Sequence, residues 1–240
     1  MTEKLSTDFD LSYLDENYAV IKENIAKAAA SVGRHAEEVT LMAVTKTVAP
    51  APINHVISLG VNLIGENKVQ ELLSKIDFLN TDGLDMHIIG HLQSNKVRKI
   101  IDTVSMIESA DSIELADEIS KRAVAAGHSM DVLLEVNIGN EESKTGFMYE
   151  EALERAFEIS EKANVNVRGF MAVPPICEGD TVRRYFAKMN ELFLEAKGKL
   201  KDKANIDVLS LGMSAEYADA VKEGSTLVRV GSSLFGARRY

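Results

Sequence analysis

Lys46 ends the run Thr40-Leu-Met-Ala-Val-Thr-Lys46, an apolar segment closed by Pro50 and Pro52. Such a run reads as a buried strand. Side chains alternate along a strand, so Lys46 shares a face with Met42 and Val44, while Leu41, Ala43 and Thr45 take the other. If Met42 and Val44 point into a core, Lys46 stands at the mouth of that core. A lysine beside apolar surface loses its charge more easily than one in water, and the neutral amine attacks a carbonyl. The alternative is a strand-end lysine that snorkels to solvent.

Two further stretches could hold an anion. Leu211-Gly-Met-Ser214 and Val230-Gly-Ser-Ser233 each place a glycine and a hydroxyl at the expected start of a helix. Free backbone N–H groups and the helix dipole favour a phosphate there. Arg229 interrupts the apolar run Thr226-Leu-Val-Arg-Val230 and shares a face with Leu227. If that face is interior, Arg229 is a permanent cation inside the mouth, or else it pairs with a structural carboxylate. A carbonyl-seeking lysine, a phosphate cradle and an inward arginine together describe one ligand, pyridoxal phosphate. Lys46 then forms the Schiff base and Arg229 faces the ring nitrogen. An arginine there leaves that nitrogen unprotonated and the ring a weak electron sink.

Other chemistry is less well supported. His87 and His91 share a strand face, as metal ligands do, but no Cys/His/carboxylate pattern at zinc spacing accompanies them, and no metal is expected. Ser214 lacks the G-x-S-x-G surroundings of a nucleophilic serine. Cys177 is the only cysteine, which excludes an internal disulfide, reads as an inert thiol and fits a reducing cytoplasm.

These residues need elements to position them. Apolar runs at 40–46, 61–65, 86–90, 104–107, 131–138, 165–173, 206–211 and 226–230 alternate with helical patterns. Leu11, Leu14, Tyr18, Ile21, Ile25, Ala28 and Val32 mark an N-terminal helix stopped by Gly33. Asp111 with Glu114 predicts a capping box on the helix that Gly127 ends, and a short helix is expected over 214–223. Strands this continuously apolar belong to a parallel sheet covered on its outer face. Their number and the chain length match an α/β fold, a single (β/α)8 TIM-type barrel with an additional N-terminal helix; a doubly wound open sheet is the alternative. Residues 231–240 leave room for a turn or two of helix after the last strand, so the N-terminal helix is expected to complete the outer ring. Sites in such barrels form at the strand ends. There stand Lys46, Glu66 and Asn67, His91 to Asn95, Asn137 and Lys144, Met171, Met213 and Ser214, and Arg229 with Gly231 and Ser232.

Composition bounds the partners. The chain has 240 residues, 45% hydrophobic and 27% charged, which suits one globular domain over residues 1–240. A formal charge of -10 argues against non-specific nucleic-acid binding. The acidic start, MTEKLSTDFD, lacks the apolar core of a signal peptide, and no run reaches membrane-spanning length.

Five stretches carry a resemblance. Leu41-Met-Ala-Val-Thr-Lys46, Gly65-Glu-Asn-Lys-Val-Gln-Glu71, His87-Ile-Ile-Gly-His-Leu-Gln-Ser-Asn-Lys96, Leu209-Ser-Leu-Gly-Met-Ser214 and Val228-Arg-Val-Gly-Ser-Ser-Leu-Phe-Gly236 resemble the YggS/PROSC pyridoxal phosphate homeostasis proteins, colinearly from about Leu11 to Tyr240. Small departures, such as Leu211, Glu216 and Ser233, spare the key side chains. The resemblance implies a barrel like the N-terminal domain of alanine racemase, with Lys46 as the aldimine lysine. It implies Ser214, Gly231 and Ser232 at the phosphate, Arg229 at the ring nitrogen, and Asn67 and Met213 in contact with the cofactor. It implies a cytoplasmic protein of vitamin B6 homeostasis that stores or delivers pyridoxal 5'-phosphate, with no established turnover. Its expected partners are the cofactor and apo forms of enzymes that use it, not nucleic acid or membrane, and a monomer is expected. A small pyridoxal phosphate-dependent amino acid racemase is the alternative; against it, no second domain supplies a second base.

Overall fold

The structure, a computed structural model, describes residues 10–236. Most of the acidic N-terminal stretch and the last four residues, 237–240, lie outside the described residues. In chain order the elements are α1 (Ser12–Ser31), β1 (Thr40–Val44), α2 (Pro50–Ser58), β2 (Leu63–Glu66), α3 (Val69–Lys75), β3 (Asp85–Ile88), α4 (Ser94–Val97), β4 (Met106–Ala110) and α5 (Ile113–Ala126). Then come β5 (Met130–Asn137), β6 (Phe147–Met148), α6 (Tyr149–Ser160), β7 (Val165–Ala172), α7 (Asp180–Lys199), β8 (Val208–Ser210), α8 (Tyr217–Lys222), β9 (Leu227–Val230) and α9 (Ser232–Phe235).

All strand pairings are parallel. The sheet runs β4-β3-β2-β1-β9-β8-β7-β5, and a further β4–β5 pairing closes it into an eight-stranded barrel. The chain thus forms the expected (β/α)8 barrel rather than an open sheet. The two-residue β6 was not expected. It pairs with Val136 and Asn137 of β5, beyond the point where β4 stops at Leu134, and so takes over the edge that β4 leaves.

Alternation along the strands sorts the apolar residues into two cores. Outward residues such as Leu41, Ala43, Ile64, Ile88, Ile107, Leu134 and Val228 join the helices in one large cluster. Inward residues form two small clusters in the lumen, Met42, Val44, Leu63 and Leu227 on one side and Met106, Leu133 and Met171 on the other. The helices cover the outer core with residues three and four apart, as Val182, Phe186, Met189, Phe193 and Ala196 do on α7. Helix α1 buries Leu14, Ile21, Ile25 and Ala28 and packs on α8, α9 and α2, so it fills the place in the ring that the single-turn α9 leaves.

Two local expectations need correction. Helix α5 starts at Ile113, so its N-cap is Ser112, whose hydroxyl accepts the Leu115 N–H at 3.3 Å. Asp111 lies one residue too early to cap, and Glu114 one residue too early for the capping box. The helix expected over 214–223 starts only at Tyr217, because Ser214 to Glu216 form a turn.

Candidate functional site

Strand register builds the mouth. Met42 pairs with Arg229 and Ala43 with Val230 across β1 and β9. Val44 therefore stands beside Gly231, where an added Cβ would lie 3.4 Å from the valine's own. Lys46, two residues beyond Val44, is half-buried at the same end. Lys46, Met213, Ser214, Arg229, Gly231 and Ser232 line one cavity of about 280 Å³, with Val44 and Ile89 as apolar lining. Six of the seven residues expected to hold a cofactor are thus brought together. Asn67 does not line this cavity. It follows β2 at the same end of the barrel, and its backbone packs so closely on Gly90 that a Cβ there would meet Asn67 O at 2.6 Å. A second cavity, of about 240 Å³, shares Val44, Lys46, Gly231 and Ser232 and is bounded on its other side by Tyr13, Pro52 and Phe235.

The turn after β8 is shaped by Gly212. Its φ is +85°, and a Cβ would come within 2.9 Å of Tyr217 Cα, so only glycine fits. The turn brings Ser214 to the residues after β9. Its Oγ accepts the backbone N–H groups of Gly231 at 3.1 Å and Ser233 at 3.2 Å, and Ser233 Oγ donates to Ser214 O at 3.1 Å. Two backbone donors here already converge on one oxygen. Asn17 of α1 donates to Leu234 O of α9 at 2.9 Å.

Arg229 is buried in the lumen. It donates through Nη1 to Ser210 O at 2.7 Å and Ser210 Oγ at 2.6 Å, and through Nη2 to Ala172 O at 2.9 Å. Ser210 Oγ in turn donates to Glu108 Oε2 at 2.6 Å, and Glu108 Oε1 meets His87 Nδ1 at 2.7 Å. Burial opposes the charge on Glu108, yet His87, Arg229 and Ser210 outweigh it, and the carboxyl stays below its usual range. Burial lowers Arg229 from its usual value, against the pull of Glu108, Glu135 and Glu216. The two alternatives for Arg229 therefore coexist: it lines the cavity and has a structural carboxylate behind it. His91 Nδ1 sits 2.7 Å from Asp111 Oδ2 at the rim. Both histidines have carboxylate partners, and among the described residues no group of three or more His, Cys, Asp and Glu side chains is placed to hold a metal ion.

Glu108 and Ser210 escaped the sequence reading. The expected strand ends at Ile107, whereas β4 runs on to Ala110 and turns Glu108 inward with Met106. Glu66 needs correction for the opposite reason. It ends β2 but shares its face with Ile64, so its carboxyl is buried outside the lumen, where Lys75 Nζ donates to it at 2.7 Å.

Residues 17–239 match the model of the alanine racemase N-terminal domain family. The chain is 41% identical to a pyridoxal phosphate homeostasis protein of Aquifex aeolicus, over 94% of this chain and 98% of that one. It superposes with a TM-score of 0.76 on PipY of Synechococcus elongatus, solved with PLP bound, at 31% identity over 88% of this chain and all of that one. Alanine racemase of Clostridium difficile gives a TM-score of 0.71 at 17% identity, over 95% of this chain and 60% of that one, a likeness of fold alone. With the barrel, the lysine after its first strand and relatives matched along nearly their full length, this chain belongs to the pyridoxal phosphate homeostasis proteins of the alanine racemase N-terminal domain family.

Proposed function

We propose that this protein binds pyridoxal 5'-phosphate at the barrel mouth, captures it covalently on Lys46, and stores or delivers it in intracellular vitamin B6 homeostasis. The observation that carries the reading is the shared cavity, whose lining joins the Lys46 amine, the Ser214, Gly231 and Ser232 turn, and the buried Arg229 cation. A relative solved with PLP bound and relatives named for its homeostasis support it. The residues suit the cofactor. Gly231 N–H, Ser214 and Ser232 would hold the phosphate, Arg229 would face the ring nitrogen, and Met213 would cover the ring. Asn67 would reach the cofactor from the β2 side. The whole described chain serves this one barrel site. When bound, the cofactor would supply an aldehyde, and the Lys46 amine would condense with it, releasing one water and needing no oxidant or reductant. Arg229, a guanidinium with the Glu108 carboxylate nearby, would discourage a proton on the ring nitrogen and leave the ring poorly suited to carbanion chemistry. A role in holding cofactor, rather than turning over amino acids, follows. Borohydride reduction of the loaded protein, followed by peptide mapping, should place the label on Lys46. A label mainly on Lys68, Lys96 or Lys144 rejects the assignment.

A further inference from the structure

The chain on both sides of Lys46 is fastened from outside the barrel. Lys75, the last residue of α3, points its ammonium group under the end of β1. It donates to Thr45 O at 2.8 Å, Glu66 Oε1 at 2.7 Å and Glu71 Oε1 at 2.7 Å, which engages an ammonium group's three N–H bonds. Thr45 Oγ1 donates to the same Glu66 oxygen at 2.8 Å. The Thr47 backbone N–H donates to the same Glu71 oxygen. One ammonium and two carboxylates thus fix the residue before Lys46 and the residue after it. Thr47 also has φ +65°, a left-handed conformation that a β-branched residue adopts only when its surroundings enforce it.

The site does not need this set for charge. Glu66 and Lys75 are buried on the outer side of the strands, away from the cavity lining. Glu66 Oε2 is buried without a partner, so the carboxylate is oriented by Thr45 and Lys75 through its other oxygen alone. A set used only to join α3 to the barrel could have been apolar, like the rest of that interface, where Val69 and Leu72 are buried. What the polar set adds is direction: hydrogen bonds define the orientation of the peptide groups at 45–47 as apolar contacts do not.

We infer that Lys75, Glu66 and Glu71 are positioning residues for Lys46, holding the peptide units around it so that its amine meets a carbonyl ligand in the cavity in one orientation. This rests on Lys46 being the capturing amine. The set acts on the covalent step and leaves the hold on phosphate and ring to Ser214, Gly231 and Arg229.

The test compares Lys75→Met and Glu71→Gln with the unaltered protein. The visible band that follows mixing with pyridoxal phosphate, or with phosphate-free pyridoxal, gives the capture rate. Equilibrium binding of pyridoxine 5'-phosphate, which has ring and phosphate but no aldehyde, gives the non-covalent hold. Capture should slow at least about tenfold with both aldehydes, since misplacing a reacting group by about 1 Å can cost about a hundredfold. Pyridoxine phosphate affinity should stay the same. Unchanged capture rates, or capture and pyridoxine phosphate affinity falling in parallel, overturn the inference. If Lys75→Met does not fold, Glu71→Gln, at a partly exposed carboxylate, decides by the same criteria. Lys46→Ala separates the two readings. A borohydride label that survives in Lys46→Ala removes Lys46 as the capturing amine. A label lost there, with capture unchanged in Lys75→Met and Glu71→Gln, removes only the positioning role.

Discussion

Glu135 and Glu108 are both inward carboxylates on the barrel wall, yet their surroundings give them opposite protonation behaviour. Glu108 has His87, Ser210 and Arg229 around it, and these outweigh burial. Glu135 is raised, chiefly by burial and then by the nearby charge of Asp111, with only Thr145, Arg229 and His91 pulling the other way. A carboxyl raised on folding binds its proton more tightly in the native state than in the unfolded chain. Stability therefore falls as pH rises from the ordinary value of 4.5 to the raised one, and the full penalty remains above that. Glu135→Gln keeps an acceptor for Thr145 and removes the buried charge. The variant should be more stable than the parent at neutral pH, and its advantage should vanish well below pH 4.5, where the carboxyl is protonated in both the folded and the unfolded chain. Urea unfolding midpoints at neutral and acid pH measure this. An equal gain at both would mean that packing, not charge, is the cause. Glu108→Gln should do the reverse at neutral pH, because it leaves the buried Arg229 without its counter-charge.

At the scale of elements, the start of α5 offers a comparison between two caps. Removing a serine N-cap typically costs about 1 kcal/mol, within roughly 0.5–2 kcal/mol. Ser112→Ala should show that loss in urea unfolding, and Glu114→Ala should show much less, since Glu114 sits in the first turn without reaching the cap. A larger loss in Glu114→Ala than in Ser112→Ala would restore the capping box of Asp111 and Glu114 that the sequence alone predicted. The sequence revealed the alternation of strands and helices because inward and outward residues of a covered parallel strand are both apolar and stand out as runs. It revealed Lys46 and Arg229 because each interrupts or ends such a run. It hid what depends on one-residue shifts. Glu108 lies past the expected end of its strand, and Asp111 and Ser112 are both good caps by type, so only the backbone decides between them. Ser214 resembles an N-cap by type, so the expected helix begins there, whereas residues 214–216 form a turn and the helix begins at Tyr217. Lys75 carried no signal at all: a lysine ending an amphipathic helix is ordinarily solvated, and its three acceptors come from positions 45, 66 and 71.

For the whole molecule the question is whether a barrel of the alanine racemase type, as this chain has, moves protons on amino acids. Racemisation needs a base on each face of the substrate carbon. Lys46 can serve one face. The other titratable groups lining its cavity are Arg229, tied to Ser210 and Ala172, and Glu216, whose Oε1 accepts the Met213 N–H at 3.2 Å. Arg229 acts as a donor in these contacts, and one Glu216 oxygen is occupied by its own. Tyr13 lines the adjoining cavity, which shares Lys46, Gly231 and Ser232. The loaded protein, incubated with L-alanine in deuterated water, should therefore show no rapid exchange of the α-proton. Mixed instead with an apo pyridoxal phosphate enzyme, with a scavenger of free cofactor present, it should restore that enzyme's activity, as a carrier would. Exchange at ordinary enzyme rates of about 1–10³ per second would replace the carrier reading with a racemase. Tyr13→Phe would then be the first variant to examine, since Tyr13 and Lys46 line the same cavity. Loss of exchange in that variant would place the second base on α1, the helix that stands outside the eight repeats and closes their ring.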